Sequence, residues 1–288
     1  MRRGLLASRE RAHVEIAAGR VTVGGAPATK ASRLVAPGEA VALDGPPAPY
    51  VSRGGEKLAA ALDEFAVPVA GAAILDAGAS TGGFTDCLLQ RGAAHVVAVD
   101  VGRGQLHQRL RTDARVTVVE RCNIRHLDLS ALDRVGRPFS VVVADLSFIS
   151  LTTVASALVG LTAPDSRLVV LIKPQFEAGR AEASRGRGVI ADPEVWRRVL
   201  VEVIGAFDAA GAAMMGLMVS PIRGARGNVE FLAHLVVTGS PIAAHQVVGS
   251  AALHVAVDTD VAVGTAVAAG VSLRDENLKG AGDGHPSG

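Results

Sequence analysis

Cysteine is nearly absent. Two of the 288 residues are cysteine, Cys87 and Cys122, and neither belongs to a C-x-x-C pair. That excludes a disulfide framework and fits free thiols in a reducing compartment, with no structural zinc. The eight histidines fall into no H-E-x-x-H or related spacing, so no metal is expected. MRRGLLASRERAH has neither an apolar core nor a cleavage site and does not read as a signal peptide. Long apolar runs are missing too. The longest uncharged stretches, near Ser140–Val143 and Leu168–Ile172, have strand length, far below the ~20 residues of a membrane helix. The expectation is a cytoplasmic protein with no membrane partner. Net charge is only +1, so a nucleic acid must be met by a local patch.

Lysine is scarce. Of 29 basic residues 25 are Arg, and the four Lys are Lys30, Lys57, Lys173 and Lys279. Base composition of the gene accounts for most of this bias. Where Arg is used nearly everywhere, a Lys marks a place where Arg will not serve, since Arg cannot give up its proton in a protein and Lys can.

What is present is a core. The chain is 49% hydrophobic and 20% charged, and its length suits about two domains. Residues 1–45 read as a small α+β unit. Ser8 caps a helix over Arg9–Ala18, Arg20–Gly25 alternates like a strand and ends in a Gly-Gly turn, and Gly38–Leu43 is a second strand. Residues 1–35 hold seven basic side chains (Arg2, Arg3, Arg9, Arg11, Arg20, Lys30, Arg33) against Glu10 and Glu15. Such an excess suits a phosphate backbone, although a solvated helix face would look alike. Three prolines in Asp44–Tyr50 mark a boundary, and residues 46–55 read as a linker.

From Ala72 strands and helices alternate. Expected strands are Ala73–Asp76, His95–Val99, Val116–Glu120, Ser140–Ala144, Arg167–Ile172, Met214–Val219 and Val229–Val237. Expected helices are Glu56–Phe65, Phe84–Arg91, Gln105–Arg111, Thr153–Leu161 and Glu194–Ala209. This is the pattern of a doubly wound α/β sheet. The stretch from Gly239 is rich in Ala, Val and Gly and reads as a tail over 239–288, its last ten or so residues disordered.

Ile74–Thr85, ILDAGASTGGFT, runs from a strand through a Gly-rich turn into a helix, whose N-terminus offers free N–H groups to a cofactor. Asp100 ends the next strand, 24 residues after Asp76, where a carboxylate can hold a ribose diol. The turn alone does not separate a dinucleotide from S-adenosylmethionine. Asp145 and Lys173 fall at the carboxyl ends of the fourth and fifth strands, the edge where such sheets carry their sites. Glu230 joins them if the last strand runs antiparallel, and Lys57 reaches the pocket from the preceding helix. Two lysines and two carboxylates around one crevice suit deprotonation of a hydroxyl, because a second cation makes a lysine a usable base.

These residues carry a resemblance. Val51–Lys57, Leu75–Thr85, Val99–Leu106, Ala144–Ser150, Lys173–Glu177 and Gly227–Glu230 resemble the TlyA family of ribosomal RNA 2′-O-methyltransferases, often named hemolysins, over about Arg3–Val237. The resemblance implies a Rossmann-like class I methyltransferase domain over 56–238, similar to the FtsJ enzyme. It also implies an RNA-binding domain over 1–45 that is short at its start. It implies a Lys-Asp-Lys-Glu tetrad at Lys57, Asp145, Lys173 and Glu230. S-adenosylmethionine is expected at Asp76, Gly78, Ala79, Ser80, Thr81, Gly82 and Asp100, with Phe148 nearby. The acceptor is a cytidine ribose hydroxyl in ribosomal RNA or a ribosomal subunit. Where some members carry Arg-x-Trp-Val, this linker reads Ala48-Pro-Tyr-Val51. Arg103, Arg109, Arg111, Arg115, Arg121 and Arg125 form a second basic stretch for the RNA backbone. The rivals are an RNA-binding protein with an inert methyltransferase domain and a hemolysin.

Overall fold

The computed structural model describes residues 4–6, 12, 15–16, 19–45, 48–127, 138–238 and 259–280. The expected helix over 9–18 lies mostly outside these residues, as does the expected disorder of the last residues.

The first described unit is a three-stranded antiparallel sheet, ordered β2-β1-β3, of β1 (Val21–Val23), β2 (Ala26–Pro27) and β3 (Val41–Leu43). Gly24 and Gly25 close the β1–β2 hairpin with φ of 61° and 82°. A two-residue turn needs that left-handed pair, and glycine supplies it without strain. Its core is small: Val21, Val23 and Ala28, flanked by Ile16, Val41 and Leu43. The linker is tied down by side chains of the second unit. Asp86 accepts the Val51 N–H at 2.8 Å, and Gln90 donates to the Pro49 carbonyl at 2.9 Å.

The second unit begins with α1 (Gly54–Glu64) and continues through β4 (Ala73–Ala77), α2 (Gly83–Gln90), β5 (His95–Asp100), α3 (Gln108–Arg111) and β6 (Val116–Glu120). Then come β7 (Phe139–Ala144), α4 (Leu151–Gly160), β8 (Thr162–Ile172), α5 (Pro174–Glu177) and α6 (Arg180–Arg185). The series ends with α7 (Pro193–Ala209), β9 (Ala212–Val219), β10 (Phe231–Val237) and α8 (Thr259–Gly280). One seven-stranded sheet results, ordered β6-β5-β4-β7-β8-β10-β9. β4 to β8 run parallel, and β10 runs antiparallel to both β8 and β9.

The central strands are continuous apolar runs because both faces are covered. Leu75, Val97, Val142 and Val170 pack on α4, α7 and α8, around the fully buried Trp196 and Phe207. Ile74, Val96, Val141 and Leu171 point the other way, onto α1 and α2 through Leu58, Leu62, Leu88 and Phe84. The period of two in each strand thus makes two cores. α4 starts two residues before the expected Thr153 and α7 one before the expected Glu194, where caps set them: Ser150 accepts the Thr152 N–H at 3.1 Å, and Asp192 accepts that of Glu194 at 2.9 Å ahead of Pro193.

Three differences from the sequence reading have local causes. The third helix starts at Gln108, not Gln105, because His107 is extended (φ −57°, ψ 138°) and caps it, Nδ1 accepting the Arg109 N–H at 3.3 Å. β8 starts at Thr162, through Pro164, because Ser166 bridges an irregularity in the β7–β8 ladder: its hydroxyl donates to Phe139 O at 3.0 Å and accepts from Ala163 N at 3.1 Å. The stretch read as a tail contains α8. Its Ala262, Val263, Ala266 and Val267 are buried against α7 and β9, and Gly270 lies beside Trp196. No described helix is long and apolar enough to cross a membrane.

Candidate active site

The sheet changes direction at β4, which has β5 on one side and β7 on the other. A crevice opens at the carboxyl ends there. Asp145, just past β7, donates its N–H to Ala77 O at 2.9 Å, so it sits beside Gly78. Gly78 has φ +88°, and a Cβ on it would lie 2.5 Å from the Asp145 carbonyl oxygen. Its first task is the close approach of two strand ends. A Gly78→Val change therefore disturbs the scaffold as well as any ligand.

Beside these residues is a cleft of about 640 Å³. Of the residues expected to hold the cofactor, Gly78, Ser80, Asp100 and Phe148 line it. Asp76, Ala79 and Gly82 are buried behind the wall, and Thr81 is exposed, its carbonyl accepting from His107 N at 3.2 Å. Asp100 organises the wall: Oδ2 accepts the Ser80 N–H at 2.8 Å and Oδ1 that of Gly102 at 2.6 Å. Phe148, φ 66° and 90% exposed, stands at the rim with its ring 5.1 Å from that of Phe176. The expected free N–H groups at the start of α2 do not face the cleft. Gly83, Phe84 and Thr85 are buried, and Gly83 packs so tightly on α1 that a Cβ would meet Ser52 Oγ and Gly55 N.

Acidic side chains gather along the cleft and behind it. Asp76 is fully buried, with Thr85 Oγ1 donating to its Oδ2 at 2.6 Å and no partner on Oδ1. Burial pushes its carboxyl up to about 7, and the charges of Asp145 and Asp100 add to the shift. Asp100 and Asp145 are the carboxylates that line the cleft, with Asp76 behind them; Asp145 is paired with Lys173, and Arg125 lines the same space.

The tetrad residues assemble as two ion pairs. Phe231 pairs with Ile172 across the antiparallel β8–β10 ladder, which sets Glu230 opposite Lys173 at the same edge. Lys57, 7% exposed, comes from α1 and binds Glu230, 2% exposed. Lys173, 8% exposed, binds Asp145 and donates to Ser147 Oγ at 3.0 Å. Gln175 Nε2 donates to Glu230 Oε1 at 3.2 Å. Ser147 and Gln175 were not singled out from the sequence. Both lie inside recognised stretches, each two residues from a tetrad member, but only the fold shows which way they turn. Asn228, in the same position, holds the 188–190 loop to the mouth of β10: its Oδ1 accepts Ile190 N at 3.0 Å and its Nδ2 donates to Gly188 O at 2.9 Å.

The basic residues divide. Arg2, Arg3, Arg9 and Arg11 lie outside the described residues. Arg20 pairs with Glu15 at 2.6 Å and Arg33 with Glu39 at 2.9 Å, while Lys30 is exposed. Glu39 lies just past the stretch whose charge was counted, so the excess there is smaller than the count implied. In the second stretch Arg109 binds Asp86, Arg111 binds Glu120 and Arg115 binds Asp113. Arg103, Arg121 and Arg125 make no ion pair among the described residues, and Arg125 lines the cleft.

Residues 50–236 match the family described as FtsJ-like methyltransferase. The 16S/23S rRNA (cytidine-2′-O)-methyltransferase TlyA of Mycobacterium tuberculosis is 49% identical over 233 residues, 80% of this chain and 85% of that protein. Hemolysin A of Brachyspira hyodysenteriae is 43% identical over 65% of this chain and 77% of its own. A solved structure of a hemolysin-named protein from Streptococcus thermophilus superposes with a TM-score of 0.76 at 36% identity, covering 96% of this chain and 95% of that one. The superposition spans nearly the whole chain, and the matched stretch runs from the linker through Glu230, so it includes all four tetrad residues. On this ground the chain belongs to the TlyA family of FtsJ-like methyltransferases.

Proposed function

We propose that the protein methylates the 2′ hydroxyl of a cytidine ribose in ribosomal RNA, with S-adenosylmethionine as donor. The observation that carries this reading is the double place of Asp145. It lines the cleft and it binds Lys173, so donor site and acceptor site meet at one carboxylate. The residues around the cleft fit the cofactor. Asp76 Oδ1 is a buried acceptor without a partner, Asp100 has lone pairs left for a ribose diol, and Phe148 offers an exposed ring. S-adenosylmethionine, when bound, supplies an electrophilic methyl group on a sulfonium.

The chain's own residues do the rest. Lys173 enters the step as the neutral amine, its own proton released to solvent, and takes the proton of the acceptor hydroxyl at Nζ as the oxygen attacks the methyl group; Asp145 and Ser147 fix where that nitrogen sits. Glu230 and Gln175 fix Lys57 and the edge it occupies. Hydroxyl placement of this kind is worth a large part of the barrier, because a misplacement of ~1 Å can cost ~10²-fold. RNA is gripped by Arg125 in the cleft, by Arg103 and Arg121, each next in sequence to a lining residue, and by the N-terminal unit, Lys30 and Arg33 included. The reading puts the protein with ribosomes in the cytoplasm.

The test is methyl transfer from labelled S-adenosylmethionine to naked ribosomal RNA and to each subunit, with the 2′-O-methyl mapped by nucleotide. Incorporation at a cytidine ribose is expected. Cofactor binding without transfer to any of these substrates means the domain is an inert RNA-binding partner. Lysis of erythrocytes by the pure protein would instead favour the hemolysin name that some relatives bear.

A further inference from the structure

We propose that Gly224 is a positioning residue for the methyl transfer: the missing side chain there is what lets the Glu230 carboxylate reach Lys57. The inference rests on the tetrad reading above. A Cβ built on Gly224 would fall on Oε1 and the carboxyl carbon of Glu230, with Oε2 3.1 Å away. Among the described glycines, no other built Cβ has a tetrad side chain among its three nearest atoms. Gly224 is not in the left-handed region, so conformational freedom is not what requires glycine at this position. Space is the requirement.

The loop cannot back away to make room. Gly224 N donates to Asn228 O at 2.9 Å, Gly227 N to Gly224 O at 3.2 Å, and Ser220 N to Glu230 O at 2.8 Å. The turn from Ser220 to Glu230 is thus closed by its own backbone. Glu230 is 2% exposed, so its carboxylate has no solvent to turn into. Lys57 and Gln175 hold it from one side and the Gly224 backbone bounds it on the other. When a methyl group is added at position 224, the end of a flexible side chain yields before a hydrogen-bonded turn does. Glu230 then leaves Lys57 while the fold persists.

The experiment is Gly224→Ala in the full chain, compared with Gly205→Ala. Gly205 lies on α7, and a Cβ there has nothing within 4 Å. Single-turnover methylation by Gly224→Ala is expected to fall about 10²-fold, the scale of a small misplacement. S-adenosylmethionine affinity by calorimetry stays near wild type, the melting temperature falls as expected for a parted buried ion pair while unfolding stays cooperative, and a crystal structure of the variant has Glu230 parted from Lys57. Gly205→Ala matches wild type. Adding Glu230→Asp to Gly224→Ala lowers the rate no further than the worse single change, because both break one contact. The proposal is overturned if Gly224→Ala keeps the contact, if its rate stays within about threefold of wild type, or if the two losses multiply. A wild-type chain that methylates no RNA overturns the functional reading instead, and the crystal structure of the variant still decides the positioning.

Discussion

The two units use the same chemistry, a cation against a carboxylate, to different ends. In the N-terminal unit the Arg33–Glu39 pair is exposed, on a sheet whose core is three buried residues. At the carboxyl edge of the large sheet Lys57 and Glu230 are buried over two full cores. An exposed pair gains little from its Coulomb attraction and can exchange its partner for a phosphate. A buried pair cannot, since each charge depends on the other once water is gone. The Arg33–Glu39 pair thus stays available to a phosphate, and the Lys57–Glu230 pair stays in place.

The largest effect should come from the edge. Lys173→Arg preserves charge and should preserve the contact with Asp145. As a failed proton acceptor it should lose about 10²–10⁴-fold in single-turnover rate. Lys173→Ala, which opens space, should be equally slow, and Lys30→Arg in the N-terminal unit should be silent. More than about a tenth of the wild-type rate in Lys173→Arg would make the residue an electrostatic anchor. Next comes stability. Lys57→Met leaves Glu230 buried without its cation and should cost about 3–5 kcal/mol in denaturant unfolding, while Lys57→Met with Glu230→Leu should recover most of it. If the single change is nearly neutral, the buried pair resembles the exposed one and the contrast fails.

A pH series probes burial at the same edge. Asp76 has its carboxyl raised by burial to about 7 from the usual carboxylate range. Between roughly pH 4 and 7 the folded protein therefore holds a proton that the unfolded chain has lost. Stability should fall across that window and level off above it, and Asp76→Asn should flatten the fall. A bound S-adenosylmethionine amino group would favour the ionised carboxylate, so the cofactor's stabilisation should grow as pH rises through 7. Equal slopes in wild type and Asp76→Asn would place the titration elsewhere. The smallest effects belong to the N-terminal pair. Arg33→Ala should change stability by less than about 1 kcal/mol. If Arg33 meets a phosphate, the log K against log salt slope for RNA should become shallower by about 1. An unchanged slope would mark it as a solvated side chain.

The alternation of strands and helices from Ala72 to Val237 was legible in the sequence, because each signal is local. Continuous apolar runs such as Val141–Ala144 mark strands. The candidate site residues stood out as candidates, because lysine is rare enough that Lys57 and Lys173 are conspicuous, and the fold brings both to one edge of the sheet. The helix α8 was not legible. Small residues covering a neighbour, such as Gly270 against Trp196, have no period that distinguishes them from a linker. Nor was the pairing of the tetrad. Glu230 stands opposite Lys173 only because β10 runs antiparallel to β8, and Lys57 arrives from an element 173 positions away. The glycines of the 78–83 turn looked like room for a ligand, yet Gly78 makes room for the Asp145 backbone and Gly83 for α1. Local sequence specifies the conformation a residue can take. Which neighbour fills the space it leaves depends on long-range packing, which exists only once the chain has folded.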